Sequence, residues 1–170
     1  PHLALQVPEE SLAGYPESWD PAPYLAQKGY TPHPRPRAAY AAMVTRFDRH
    51  VGRIFDQLKA LELDENTVVI VTSDNGGAEY THTTDNGRYE GGKNTQFEGG
   101  FKVPMIISWP GVLPGGARFR PMVSSLDFFP TAAVAARAVR QLVDAGFIEL
   151  ADARDAADRR GFPILALPPA

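Results

Sequence analysis

The run Val68-Val69-Ile70-Val71, followed at once by Thr72-Ser73-Asp74-Asn75-Gly76, constrains this chain more than any other stretch. Four β-branched residues between polar punctuation predict a fully buried strand. A carboxylate, an amide oxygen and a glycine then stand at its carboxyl end, which is where open α/β sheets bind ligands. Asp and Asn side chains offer hard oxygens suited to Ca²⁺ or Mg²⁺. Asp-Asn-Gly is also ordinary turn chemistry, and taken alone the turn is the better reading.

The residues before the strand predict a helix from about Arg37 to Leu61. Tyr40, Met43, Val44, Phe47, Val51, Ile54, Phe55, Leu58 and Leu61 recur at steps of three and four, which makes one wide apolar stripe. A helix feeding straight into an apolar strand is half of an α/β unit. His50 stands at the stripe's edge as a boundary residue.

Residues 1–36 carry prolines at positions 1, 8, 16, 21, 23, 32, 34 and 36. Each removes a backbone donor, so this stretch reads as a loop packed on a surface, with a short helical turn near Glu9–Ala13. Residues 76–100 are glycine-rich and almost free of apolar side chains. A loop that long without its own period is functional or disordered. Val103–Trp109 predicts a second strand, with Pro104 at its start. Ser124–Thr131 predicts a helix entry in which Ser or Asp caps and Pro130 is tolerated in the first turn.

Composition excludes several classes. A net charge of −3 without a basic block leaves no electrostatic footprint for nucleic acid. No apolar run reaches the length of a membrane span. The absence of cysteine rules out a disulfide framework, a thiolate zinc site and a cysteine nucleophile in these 170 residues. The opening Pro1-His2-Leu3-Ala4 shows no initiator Met and no signal peptide, so the chain is expected to be a piece of a longer protein.

Four features now stand in order. They are Thr72–Gly76 after the strand, Arg88-Tyr89-Glu90-Gly91-Gly92-Lys93, Phe97-Glu98-Gly99-Gly100-Phe101-Lys102-Val103-Pro104, and Ser108-Trp109-Pro110-Gly111. With Ser124–Thr131 downstream, this order resembles the sulfatase family, of the alkaline-phosphatase-like superfamily. The resemblance is strong over about residues 40–136. It is weaker over the first 36, where Pro1-His2-Leu3-Ala4-Leu5-Gln6-Val7-Pro8 is similar to the family's segment with a His between prolines.

The resemblance implies an α/β fold with a partial sulfatase sheet flanked by helices. Residues 1–136 would be part of a catalytic domain, with 1–36 a proline-rich loop segment and 37–136 the helix, strand and metal-loop core. It implies that Asp74 and Asn75 ligate a divalent cation, usually Ca²⁺, and that Lys93 contacts the sulfate. His2 would face the ester and assist the leaving group. A flexible ammonium among glycines can reach an anion as a point charge. The implied activity is hydrolysis of a sulfate ester on a small molecule or glycan, in a periplasmic, lysosomal or extracellular setting. The family attacks sulfur with a formylglycine made from a Cys or Ser, and that motif has no match here. The first pair of metal-ligating aspartates is missing too. The isolated chain is therefore expected to lack turnover.

Two other readings stay open: a phosphatase or phosphonate hydrolase of the same superfamily, and a non-catalytic remnant with weak metal or anion affinity. Trp109, Glu98, Asp127, His33 and His82 read as structural, Asp127 as a cap. The tail 137–170 does not match the family, and its Ala/Arg/Asp bias would suit out-of-frame translation of GC-rich DNA.

Overall fold

A computed structural model describes residues 1–2, 4–26 and 31–136; the tail read above as non-matching lies outside the described residues. The chain divides into two compact units, Pro1–Gly116 and Ala117–Ala170.

In the first unit, helix α1 runs Pro36–Ala60, within a residue of the predicted span. Its first turn is capped from a distance. Asp20 Oδ1 accepts from the Arg37 amide at 2.6 Å and from the Ala38 amide at 3.4 Å. A carboxylate there satisfies donors that have no partner within the helix and complements the helix dipole. The same Asp20 lies 3.7 Å from Arg35 Nε, and Arg35 also donates to the Tyr15 carbonyl at 2.7 Å. Tyr15 in turn shares a hydrogen bond with Thr45 of α1 at 2.6 Å. The proline-rich segment is thus tied to α1 by polar contacts. It carries the expected turn at Glu9–Leu12 and a second at Glu17–Trp19, both packed on α1.

The face of α1 that is buried is not the predicted one. Ala38, Ala39 and Ala42 are buried, while Phe47 and Ile54 of the large stripe are 48% and 56% exposed. The segment that packs on α1 reaches its amino-terminal half, where Tyr15 bonds Thr45 and Ser11 Oγ accepts from Arg46 Nη1 at 3.3 Å.

Strand β1 spans Val69–Thr72 and strand β2 Met105–Ser108. They pair antiparallel, with Val69 opposite Ser108 and Thr72 opposite Met105. The expected full burial of the first strand is not found: no β1 residue is buried, because β2 is its one hydrogen-bonded neighbour among the described residues. The antiparallel register has a direct consequence. The chain leaving β1 and the chain entering β2 lie at the same end of the ribbon, and Thr72 Oγ1 donates to the Pro104 carbonyl at 3.1 Å across that end. Trp109 anchors the other end by donating from Nε1 to the Glu65 carbonyl at 2.9 Å, a packing role as expected.

A single helical turn, α2 (Glu98–Phe101), precedes β2. In the second unit, Ser124 and Asp127 form a reciprocal capping box. The Ser124 amide donates to Asp127 Oδ2 at 2.8 Å, and Ser124 Oγ accepts from the Leu126 amide at 3.3 Å. Helix α3 (Phe128–Ala135) follows, with Pro130 in its first turn.

Candidate functional site

The loop between β1 and α2 folds back on itself through backbone contacts that only glycine permits. The Gly76 amide donates to the Gly100 carbonyl at 2.8 Å, and the Gly99 amide to the Glu90 carbonyl at 2.8 Å. A Cβ on Gly76 would stand 1.7 Å from the Gly99 carbonyl oxygen, and one on Gly92 would stand 2.2 Å from that of Gly77. Real Cβ atoms never approach so closely, so these positions are read by backbone crowding. The glycines expected to cradle an anion therefore also serve a second purpose: they let three loop segments press together.

That compaction places Lys93. Its amide donates to the Gly77 carbonyl at 2.9 Å, which seats the lysine's backbone just past Asp74-Asn75. Its ammonium reaches His2, with Nζ 2.9 Å from Nε2. An ammonium has no lone pair, so in this contact Lys93 donates and His2 Nε2 accepts. The two sequence-predicted anion contacts, 91 positions apart, are thus brought into direct contact.

Asp74 is exposed and Asn75 half-buried, at the carboxyl end of β1. Ser73 Oγ donates to the Asn75 carbonyl at 2.8 Å and holds the turn. The two side chains offer hard oxygens of the kind a Ca²⁺ ion takes. No cluster of three or more His, Cys, Asp or Glu able to hold a metal forms among the described residues.

Beside the Lys93 loop, Arg88 and Lys102 stand 5.0 Å and 4.9 Å from the centre of the Tyr89 ring. Arg88 Nη2 donates to the Tyr89 hydroxyl at 3.0 Å, and that bond holds the guanidinium above its ordinary value. Lys102 also pairs with Glu98 one turn away on α2. His33 and His82 stay structural. His33 Nδ1 accepts from the Arg35 amide at 3.0 Å, and the His82 carbonyl accepts from Arg37 Nε at 3.1 Å. Asp127 is buried in its capping box, the capping role expected of it.

Sequence reasoning passed over Asn86. Asp85-Asn86-Gly87 signals a turn, and Asp85 Oδ1 does accept from the Gly87 amide at 2.6 Å. Nothing in that tripeptide shows that the neighbouring Asn86 side chain points inward to join two other segments.

The chain is similar to known proteins over most of its described length. The family model described as Sulfatase matches residues 1–138. A sulfatase of Formosa agariphila is 39% identical over 121 residues, covering 66% of this chain and 21% of that protein. The N-acetylgalactosamine-6-sulfatase of Canis lupus familiaris is 40% identical over 98 residues, covering 56% and 19%. The steryl-sulfatase of Rattus norvegicus is 38% identical over 102 residues, covering 56% and 18%. A crystal structure of Ps i-CgsB in complex with k-i-k-neocarrahexaose superposes with a TM-score of 0.65 at 37% identity, covering 80% of this chain and 27% of that one. The chain spans about a fifth of the length of the curated relatives it matches. It belongs to the sulfatase family.

Proposed function

We propose that this chain furnishes part of a centre that hydrolyses a sulfate ester, with Lys93 and His2 on the anion and Asp74 and Asn75 as ligands of a divalent cation, Ca²⁺. The observation that carries the reading is the 2.9 Å approach of Lys93 Nζ to His2 Nε2. Two nitrogen groups converging from distant parts of the chain suit a tetrahedral anion, and the Lys93 backbone is bonded to Gly77, two residues past Asn75.

The chemistry follows from the atoms. The Lys93 ammonium neutralises charge on a sulfate oxygen. Its backbone is fixed through the amide on Gly77 and its Nζ is held by His2, which limits the reorganisation needed when charge develops. Once the ester oxygen takes the place of Lys93 at His2 Nε2, uptake of a proton from solvent at that nitrogen would let the ring act as general acid and give that proton to the departing alkoxide. A bound cation would supply Lewis-acid polarisation of the sulfate oxygens. Its ligands here number two, against the about six to eight oxygens that Ca²⁺ takes. The formylglycine that the family uses has no counterpart among these residues. The substrate class is a sulfated small molecule or glycan. Among the described residues no helix is long and apolar enough to cross a membrane, and the family resemblance favours an exported setting.

The test is a titration of the purified chain with inorganic sulfate, with and without Ca²⁺, followed by NMR. Sulfate is expected to shift His2 and Lys93 with millimolar affinity, and Lys93→Ala to abolish those shifts. Ca²⁺ is expected to shift Asp74 and Asn75. An aryl sulfate is expected to survive incubation with the chain. Sulfate shifts that map away from His2 and Lys93 would refute the anion site, and robust metal-dependent turnover would refute the partial centre.

A further inference from the structure

We propose that Asn86 is a positioning residue that sets where Lys93 stands relative to the Asp74-Asn75 strand end; this rests on the reading of Lys93 given above and deepens it. The Asn86 side chain is half-buried and makes three bonds. Its Oδ1 accepts from the Gly77 amide at 3.0 Å. Its Nδ2 donates to the Gly77 carbonyl at 3.3 Å and to the Gly91 carbonyl at 2.9 Å. One planar side-chain amide thus grips Gly77, two residues past Asn75, and Gly91, two residues before Lys93. Gly77 O is the shared acceptor, since the Lys93 amide also donates to it at 2.9 Å.

The grip is itself held. The Asn86 amide donates to Glu79 Oε1 at 3.3 Å, and the carboxylate's stem lies close to Gly92. The glycines around Lys93 make the loop's backbone intrinsically loose. A loose loop would smear a point charge over several ångströms, and misplacement of about 1 Å can cost on the order of a hundredfold in a positioned reaction. The Asn86 amide removes that freedom. Asp at this position keeps the acceptor for Gly77 but sets a carboxylate against two carbonyl oxygens. Ala removes all three bonds and leaves the Gly77 amide and the Gly91 carbonyl without partners.

The experiment uses the full 170-residue chain. Asn86→Ala and Asn86→Asp are compared with wild type by amide hydrogen exchange, by the NOE between the Lys93 side chain and the His2 ring, and by affinity for inorganic sulfate. Asn86→Ala should speed exchange of the Lys93 and Gly77 amides at least tenfold, leave β1 amides unchanged and erase the NOE. It should weaken sulfate binding as much as Lys93→Ala does and add nothing in the Lys93→Ala background. A merely structural role would instead speed exchange throughout the unit and weaken binding further in the double variant. Should Asn86→Ala fail to fold, Asn86→Asp decides with the same readouts, the Gly77 amide now staying protected while the Lys93 amide does not. Retention of the NOE and of slow Lys93 exchange in whichever variant folds overturns the proposal. Sulfate affinity indifferent to Lys93→Ala overturns the anion site alone, and the exchange and NOE results then decide the role of Asn86 by themselves.

Discussion

Adding one methyl group at Gly76 and at Gly52 should move stability in opposite directions. At Gly76 the new Cβ falls 1.7 Å from the Gly99 carbonyl oxygen and 3.2 Å from the Gly100 Cα, all backbone, so no side chain can swing aside. The two segments must part by more than an ångström, and the 2.8 Å bond from the Gly76 amide to the Gly100 carbonyl cannot survive that. Overpacking of this sort costs about 1–3 kcal/mol and the lost bond about 1 kcal/mol. The stiffer unfolded chain returns about 0.4–1 kcal/mol. The net expectation is a loss of about 2–3 kcal/mol, or roughly 1–2 M in urea midpoint for a slope of about 1–3 kcal/mol per M. Gly52 lies inside α1 with open space where its Cβ would go. Alanine there should add about 0.8–1 kcal/mol. Urea unfolding in dilute solution, followed by circular dichroism and by the fluorescence of Trp19 and Trp109, measures both. Gly76→Ala should also lose sulfate affinity, because the Gly77 anchor of Lys93 moves with it. A Gly76→Ala chain as stable as wild type, with its slope and sulfate affinity unchanged, refutes the claim that backbone crowding builds this loop.

Other outcomes follow from single contacts. Asp20→Ala, which strips the carboxylate from the α1 amides of Arg37 and Ala38, should cost about 1–2 kcal/mol by urea unfolding, and an unchanged midpoint would deny the cap its role. Ser124→Ala, which opens the capping box before α3, should speed hydrogen exchange of the α3 amides several-fold and leave β1 exchange untouched. Trp109→Phe, which deletes the donor to the Glu65 carbonyl, should cost about 1 kcal/mol without altering sulfate affinity. The chain should associate above low micromolar concentration by light scattering, because Ile106 on β2 and Phe101 beside it are 65% and 59% exposed next to a strand edge; a monomer with a sharp melt at high concentration would count against that.

Local chemistry was legible wherever one segment decides it. The three-and-four spacing before Leu61 gave α1 its bounds, and the Val68–Val71 run gave β1 to within a residue. Ser124-Ser125-Leu126-Asp127 gave the cap. The order of the Asp-Asn-Gly, Gly-Gly-Lys and Glu-Gly-Gly motifs pointed to the sulfatase family, which the family model then matched over residues 1–138. Burial was not legible. The apolar stripe of α1 foretold a buried face, yet alanines fill that role, because hydrophobic periodicity states what a helix can cover and not what is present to cover it.

Sequence alone determined the residue types: a carboxylate and an amide at a strand end, a lysine among glycines and a histidine between prolines. Tertiary structure decided their company. The contact between Lys93 and His2 spans 91 positions, so no local pattern could encode its 2.9 Å distance. The loop that carries Lys93 closes because an antiparallel register brings the exit of β1 beside the entry of β2. It also depends on glycine backbones packing where any side chain would collide. The Asn86 side chain, which the sequence reading passed over, has its three partners only in the closed loop.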